Sequence, residues 1–102
     1  MENRLNCATL REQKNTKFTV MTENSGEHVL ELADVIERND SPRIESFSVH
    51  FLGEITPYLV QSSYRFRHDV LGEFSMFITP LGPHEGRMRY ESVFSRLIKD
   101  AQ

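Results

Sequence analysis

The stretch Ile44-Glu45-Ser46-Phe47-Ser48-Val49-His50-Phe51-Leu52 decides the fold class. Phe47, Val49 and Phe51 share one parity, and Ser46, Ser48 and His50 share the other. A strand sends successive side chains to opposite faces, so this pattern reads as a strand with one buried and one wet face. A helix would scatter the same residues around its circumference.

The period of two continues toward the C-terminus. Tyr64 and Phe66 alternate with Arg65 and Arg67 in a strand over residues 63–68. Residues 69–72 read as a tight hairpin turn, with Gly72 at the positive-φ position and Asp69 bonding backbone N–H groups of the turn. A fifth strand covers 73–79, with Phe74, Met76 and Ile78 inward and Phe77 outward. Residues 80–86 read as a loop because of Pro80 and Pro83. A sixth strand covers 88–94, carrying Met88, Tyr90 and Phe94 on one parity.

Toward the N-terminus, Phe18 and Val20 mark a first strand over 17–21, and residues 23–27 a turn around Gly26. The second strand covers 29–37. Its phase slips, because Leu30 and Leu32 share a parity that Val35 lacks. A β-bulge at Ala33-Asp34 returns all three to one face. Residues 38–43 read as a loop. Before the first strand, residues 5–14 suit a short helix with Asn6 as N-cap, a thin apolar face of Leu5, Ala8 and Leu10, and Asn15 in the left-handed turn that ends it.

About six short strands in 102 residues imply a mainly β domain: a small antiparallel barrel or tight sandwich with a short N-terminal helix. The barrel is favoured because closure removes exposed edges. The chain is expected to be a single domain, 1–102, with its core over about 16–94 and a frayed tail over 95–102. Nine of the ten Phe and Tyr residues follow Ser46, so the second half supplies most of the core. Its expected members are Phe18, Leu30, Leu32, Phe47, Val49, Phe51, Tyr64, Phe66, Phe74, Met76, Ile78, Tyr90 and Phe94.

Charge and cysteine content bear on partners and compartment. The formal net charge is −3, and residues 61–102 hold six basic and five acidic residues. A duplex-binding domain carries a clear basic excess, so no nucleic-acid partner is expected. Arg65, Arg67, Arg87 and Arg89 read instead as a solvated sheet face with cross-strand ion pairs, although they also suit a local patch. The single cysteine, Cys7, excludes an internal disulfide and reads as a small buried residue. No apolar run approaches the roughly 18–20 residues of a membrane span, and no signal-peptide h-region is visible, so a cytoplasmic protein is expected.

Catalytic and cofactor motifs are missing from the sequence. His28, His50, His68 and His84 show no metal-ligand spacing, so no metal is expected and the histidines read as exposed or capping residues. Ser62 and Ser63 lie in no nucleophile elbow. Gly82-Pro83-His84-Glu85-Gly86 has two glycines but no lysine-serine, so it reads as a hairpin loop and not a phosphate cradle, and no cofactor is expected. Arg89 and Glu91 share a strand face and, with Arg65 and Arg67 nearby, form a charged ladder. The apolar surplus lies in residues 53–61. Ile55, Tyr58, Leu59 and Val60 either plug an open end of the barrel or form a protein-binding patch, with Tyr58 as anchor and Phe77 as its extension.

Four segments carry a resemblance: Ser63-Tyr64-Arg65-Phe66-Arg67-His68, Leu71-Gly72-Glu73-Phe74, residues 77–83 and Met88-Arg89-Tyr90-Glu91-Ser92-Val93-Phe94. Together they resemble a family of short bacterial proteins known only as a domain of unknown function. The likeness covers about residues 8–94 and implies no assigned activity. Some members of that family stand beside phage-tail-like or tail-collar proteins, so the resemblance is compatible with an accessory of a larger particle. With no catalytic set, no cofactor motif and no deep pocket expected, the leading expectation is a non-enzymatic interaction or assembly module, working through a protein partner or a second copy of the chain. The alternatives are a β-barrel that binds a small molecule or peptide, and a small enzyme with a surface Arg/Glu/His site.

Overall fold

The computed structural model describes residues 5–23, 26–41 and 44–97. Asn6 starts the helix α1 (Cys7–Glu12): its side chain accepts from the Thr9 N–H, and the Thr9 hydroxyl accepts from the Asn6 N–H. This reciprocal cap satisfies N–H groups that the first turn leaves open. The helix is shorter than the sequence suggests, and Cys7 and Leu10, not Ala8, enter the core. Ala8 is exposed, and Leu5 packs only partly buried. Asn15 ends the segment at φ 73 and donates its N–H to the Leu32 carbonyl at 2.7 Å.

Six strands follow: β1 (Lys17–Met21), β2 (Glu27–Ser41), β3 (Ile44–Gly53), β4 (Ser62–His68), β5 (Gly72–His84) and β6 (Arg87–Leu97). They close an antiparallel barrel in the order β1-β2-β3-β6-β5-β4. The bulge in β2 falls where the phase slip demands it, with the register shifting between Leu32 and Asp34. Leu30, Leu32 and Val35 consequently all reach the core.

Three strands are longer than their sequence pattern indicates. β2 continues through residues 38–41, expected as loop, and pairs Arg38 with Ser46 and Ser41 with Ile44. β6 runs on to Leu97, into the expected tail; residues 98–102 lie outside the described residues. β5 passes through Pro80 and Pro83 and turns only at Glu85-Gly86. A proline is tolerated where a strand has a neighbour on one side only. β4 begins at Ser62, opposite Ile78, so beyond that point β5 pairs with β6 alone. A register shift between Pro80 and Gly82 leaves Leu81 half-exposed.

The core is centred on Phe18, whose ring meets Phe51, Phe66 and Phe74 edge-on at centroid distances of 5.3, 6.4 and 6.2 Å. Phe47 and Phe94 stack at 4.8 Å. Of the expected core, Tyr64, Phe74 and Phe94 are partly buried and pack against it; the others are buried. Cys7, Leu10 and Leu59, read as buried, helix-face and plug residues, join them, and so do Leu71 and His68, which the sequence did not single out for the core. No helix among the described residues is long and apolar enough to cross a membrane.

Candidate binding cleft

Residues 54–61 fold back after β3, and the loop divides its apolar residues between two tasks. Leu59 is 4% exposed and donates its N–H to the Tyr90 hydroxyl at 2.8 Å. Tyr58, Val60 and Phe77 are 50%, 60% and 50% exposed, and Ile55 is also exposed. Leu59 is the residue of the loop that plugs the barrel, and its two neighbours in sequence face solvent. Leu59 is thus no part of an exposed binding surface. The peptide bond between Thr56 and Pro57 is cis.

Beside this loop lies an open cleft of about 710 Å³. Tyr58, Leu59 and Val60 line one side, Met21, Thr22 and Glu23 another, and residues 62–65 of β4 the remainder. The Tyr64 hydroxyl donates to the Val60 carbonyl at 2.7 Å, fixing the loop to β4. Burial pushes the Tyr64 phenol above its ordinary pKa. The cleft exists because β1 is short. It pairs with β4 only through Thr19–Arg67, Val20–Phe66 and Met21–Arg65, after which Thr22 turns away, its N–H bonding the Gly26 carbonyl at 3.0 Å. Phe77 stands opposite Ser63 on β5, across β4 from the edge that pairs with β1, and is not among the residues that line the cleft. Sequence reading found the apolar loop but missed Met21, Ser63 and Tyr64, because nothing local shows where β1 parts from β4.

The arginines do not converge. β5 separates β4 from β6, so Arg65 and Arg67 are not beside Arg89 and Glu91 as the expected ladder requires. Arg65 pairs with Glu73 at 3.3 Å, Arg67 with Glu27 at 3.4 Å and Arg87 with Glu31 at 3.0 Å. Arg89 instead donates to His50 Nδ1 through Nε at 3.0 Å and lies within 2.7 Å of it through Nη2. A guanidinium only donates, so Nδ1 is the acceptor and the imidazole proton sits on Nε2, toward Glu91 Oε2 at 3.3 Å. Both ring nitrogens are thus engaged by neighbouring side chains of β6.

His68 is buried on the inner face of β4, where Nδ1 accepts from the N–H groups of Val70 and Leu71 at 3.0 and 3.2 Å. This is the turn-capping role expected of Asp69, which is exposed. Nε2 lies 2.8 Å from the Thr16 hydroxyl. Burial lowers the His68 pKa, against a smaller upward pull from Asp69. His50 and His68 stand on β3 and β4, which are not neighbours. Burial also pushes the Cys7 thiol up, so it stays protonated and is a poor nucleophile. Among the described residues, no three His, Cys, Asp or Glu side chains converge as metal ligands.

The fold and cleft define a small, closed, six-stranded antiparallel barrel with a recess beside β4. The chain belongs to the family described as Domain of unknown function (DUF6916), whose pattern matches residues 5–94. No curated protein and no solved structure matches it.

Proposed function

We propose that this chain is a non-enzymatic protein-interaction module whose contact surface is the cleft rim, with Tyr58 and Val60 as its anchors and the exposed Ile55 and Phe77 extending it beyond the cleft. The observation that carries the reading is the division of the β3–β4 loop, in which Leu59 is buried and Tyr58 and Val60 are turned out. Each of these half-exposed apolar side chains forgoes about half of the roughly 1.5–3 kcal/mol that full burial provides, and a partner that covers the rim recovers it. A large aromatic beside a recess is also the usual composition of an interface hot spot. On this reading the module serves as an accessory of a larger assembly, as the family resemblance suggests for members found beside phage-tail-like proteins.

The test is affinity capture from the native host, comparing the protein with a Tyr58→Ser, Val60→Ser double variant. A partner retained stoichiometrically by the former and lost by the latter, at unchanged melting temperature, supports the reading. Equal capture by both overturns it. Size-exclusion chromatography of the same pair applies the identical criterion to self-association.

A further inference from the structure

We propose that the cleft takes an extended peptide segment of a partner chain as an added strand along the free edge of β4. The inference rests on the interaction reading above and specifies what it binds. Residues 62–64 pair with β5 through Ser62–Ile78, Ser63–Phe77 and Tyr64–Met76. On their other side the pairing with β1 stops at Arg65, so no described strand accompanies them. An unpaired strand edge is a row of backbone donors and acceptors that another extended backbone can satisfy.

The position of the empty space is the second observation. Ser63 and Arg65 project outward from β4, whereas Ser62 and Tyr64 project inward, and all four line the cleft. A recess bounded by both faces of one strand lies in the plane of the sheet, along that strand's edge. It therefore occupies the track that β1 follows as far as Met21 and then leaves. A segment placed there runs antiparallel to β4, as β1 does. Its outward side chains lie beside Ser63 and Arg65, and Tyr58 and Val60 border its path.

The occupant is a peptide without further strands beside it. The β3–β4 loop and the Met21–Glu23 segment wall the recess, so the edge strand of another folded sheet meets them before it reaches β4. The same walls stand in the way of an edge strand from a second copy of this barrel. The charges lining the cleft are Glu23 and Arg65, of opposite sign. An uncharged segment with apolar residues at alternate positions suits it, and its affinity should depend little on salt.

The test uses random peptides of about twelve residues displayed on phage, panned against the full chain, with the recovered consensus synthesised. Backbone N-methylation at each peptide position should weaken binding at least roughly tenfold at one set of alternate positions and hardly at the other, because only every second N–H faces β4. Amide exchange should show new protection within residues 62–64 on binding. If the peptide binds and loses affinity on Tyr58→Ser, yet tolerates N-methylation throughout and protects none of those amides, strand addition is overturned while the interaction reading stands. Panning that recovers no specific peptide overturns strand addition as well, leaving the capture experiment to judge the interaction reading. A dimer whose contact protects residues 62–64 overturns the choice of a peptide over a second copy.

Discussion

The hydroxyl of Tyr90, on the inner face of β6, accepts the backbone N–H of Leu59 at 2.8 Å across 31 positions of sequence. This bond fixes the β3–β4 loop over the barrel and thereby sets which side of the loop is turned outward. Burial pushes the Tyr90 phenol up, against the opposite pull of the Leu59 N–H, so the group stays neutral. Tyr90→Phe keeps the ring and deletes the acceptor, leaving a buried N–H unsatisfied. The expected cost is about 1–3 kcal/mol, read from the urea midpoint. An unchanged midpoint means that the bond does not hold the loop.

The aromatic residues should separate by burial. Phe66 is fully buried, Phe74 partly buried and Phe77 half-exposed. Phe66→Ala should cost roughly 3–5 kcal/mol, comparable with the stability of a small domain. Phe74→Ala should cost less, and Phe77→Ser should stay within about 0.5 kcal/mol. Thermal melts of the three variants in any other order contradict the strand phases.

Stability should fall at mildly acidic pH through His68. Its pKa is lowered in the folded state from the ordinary 6.5 because burial disfavours the charged ring, and a proton on Nδ1 would also face two N–H donors. A histidine whose folded pKa is depressed stabilises fully above its unfolded pKa, and that stabilisation is lost as pH falls from there through the folded value. Urea midpoints should therefore decline from about pH 7 downward. In a His68→Asn variant, itself less stable, the decline should be shallower. Equal slopes for the two proteins would remove His68 as the cause.

Ser48 offers a gain in stability. It is 1% exposed, its neighbours across the sheet are Ile36 and Val93, and its hydroxyl has no hydrogen-bond partner. Ser48→Ala deletes a buried polar group without opening a large cavity. Stability should rise by about 1 kcal/mol, seen as a higher melting temperature. A lower melting temperature would show that the hydroxyl has a stabilising contact.

Local pattern carried much of this architecture. The parity of Phe47, Val49 and Phe51 defined β3, the phase slip between Leu32 and Val35 located the bulge, and Asn6 marked the helix start. Each of these is a relation among residues within a few positions, where side-chain periodicity and backbone preference act directly. Pro80 and Pro83 misled the reading of β5, because whether a proline is tolerated depends on whether a neighbouring strand needs its N–H.

The candidate site followed a different division. Sequence alone showed that residues 55–60 hold more apolar surface than a loop can leave in water, and that Phe77 faces outward. It did not show that Leu59 alone turns in, because that depends on the Tyr90 hydroxyl, which strand closure brings within reach. Nor did it show the cleft, which arises where β1 parts from β4 after three pairs. Strand order also dispersed the arginines and brought His50 to Arg89, since β3 lies beside β6 and β5 separates β4 from both. Alternation along one strand fixes which face a residue occupies, but only closure of the barrel fixes which residues stand next to it.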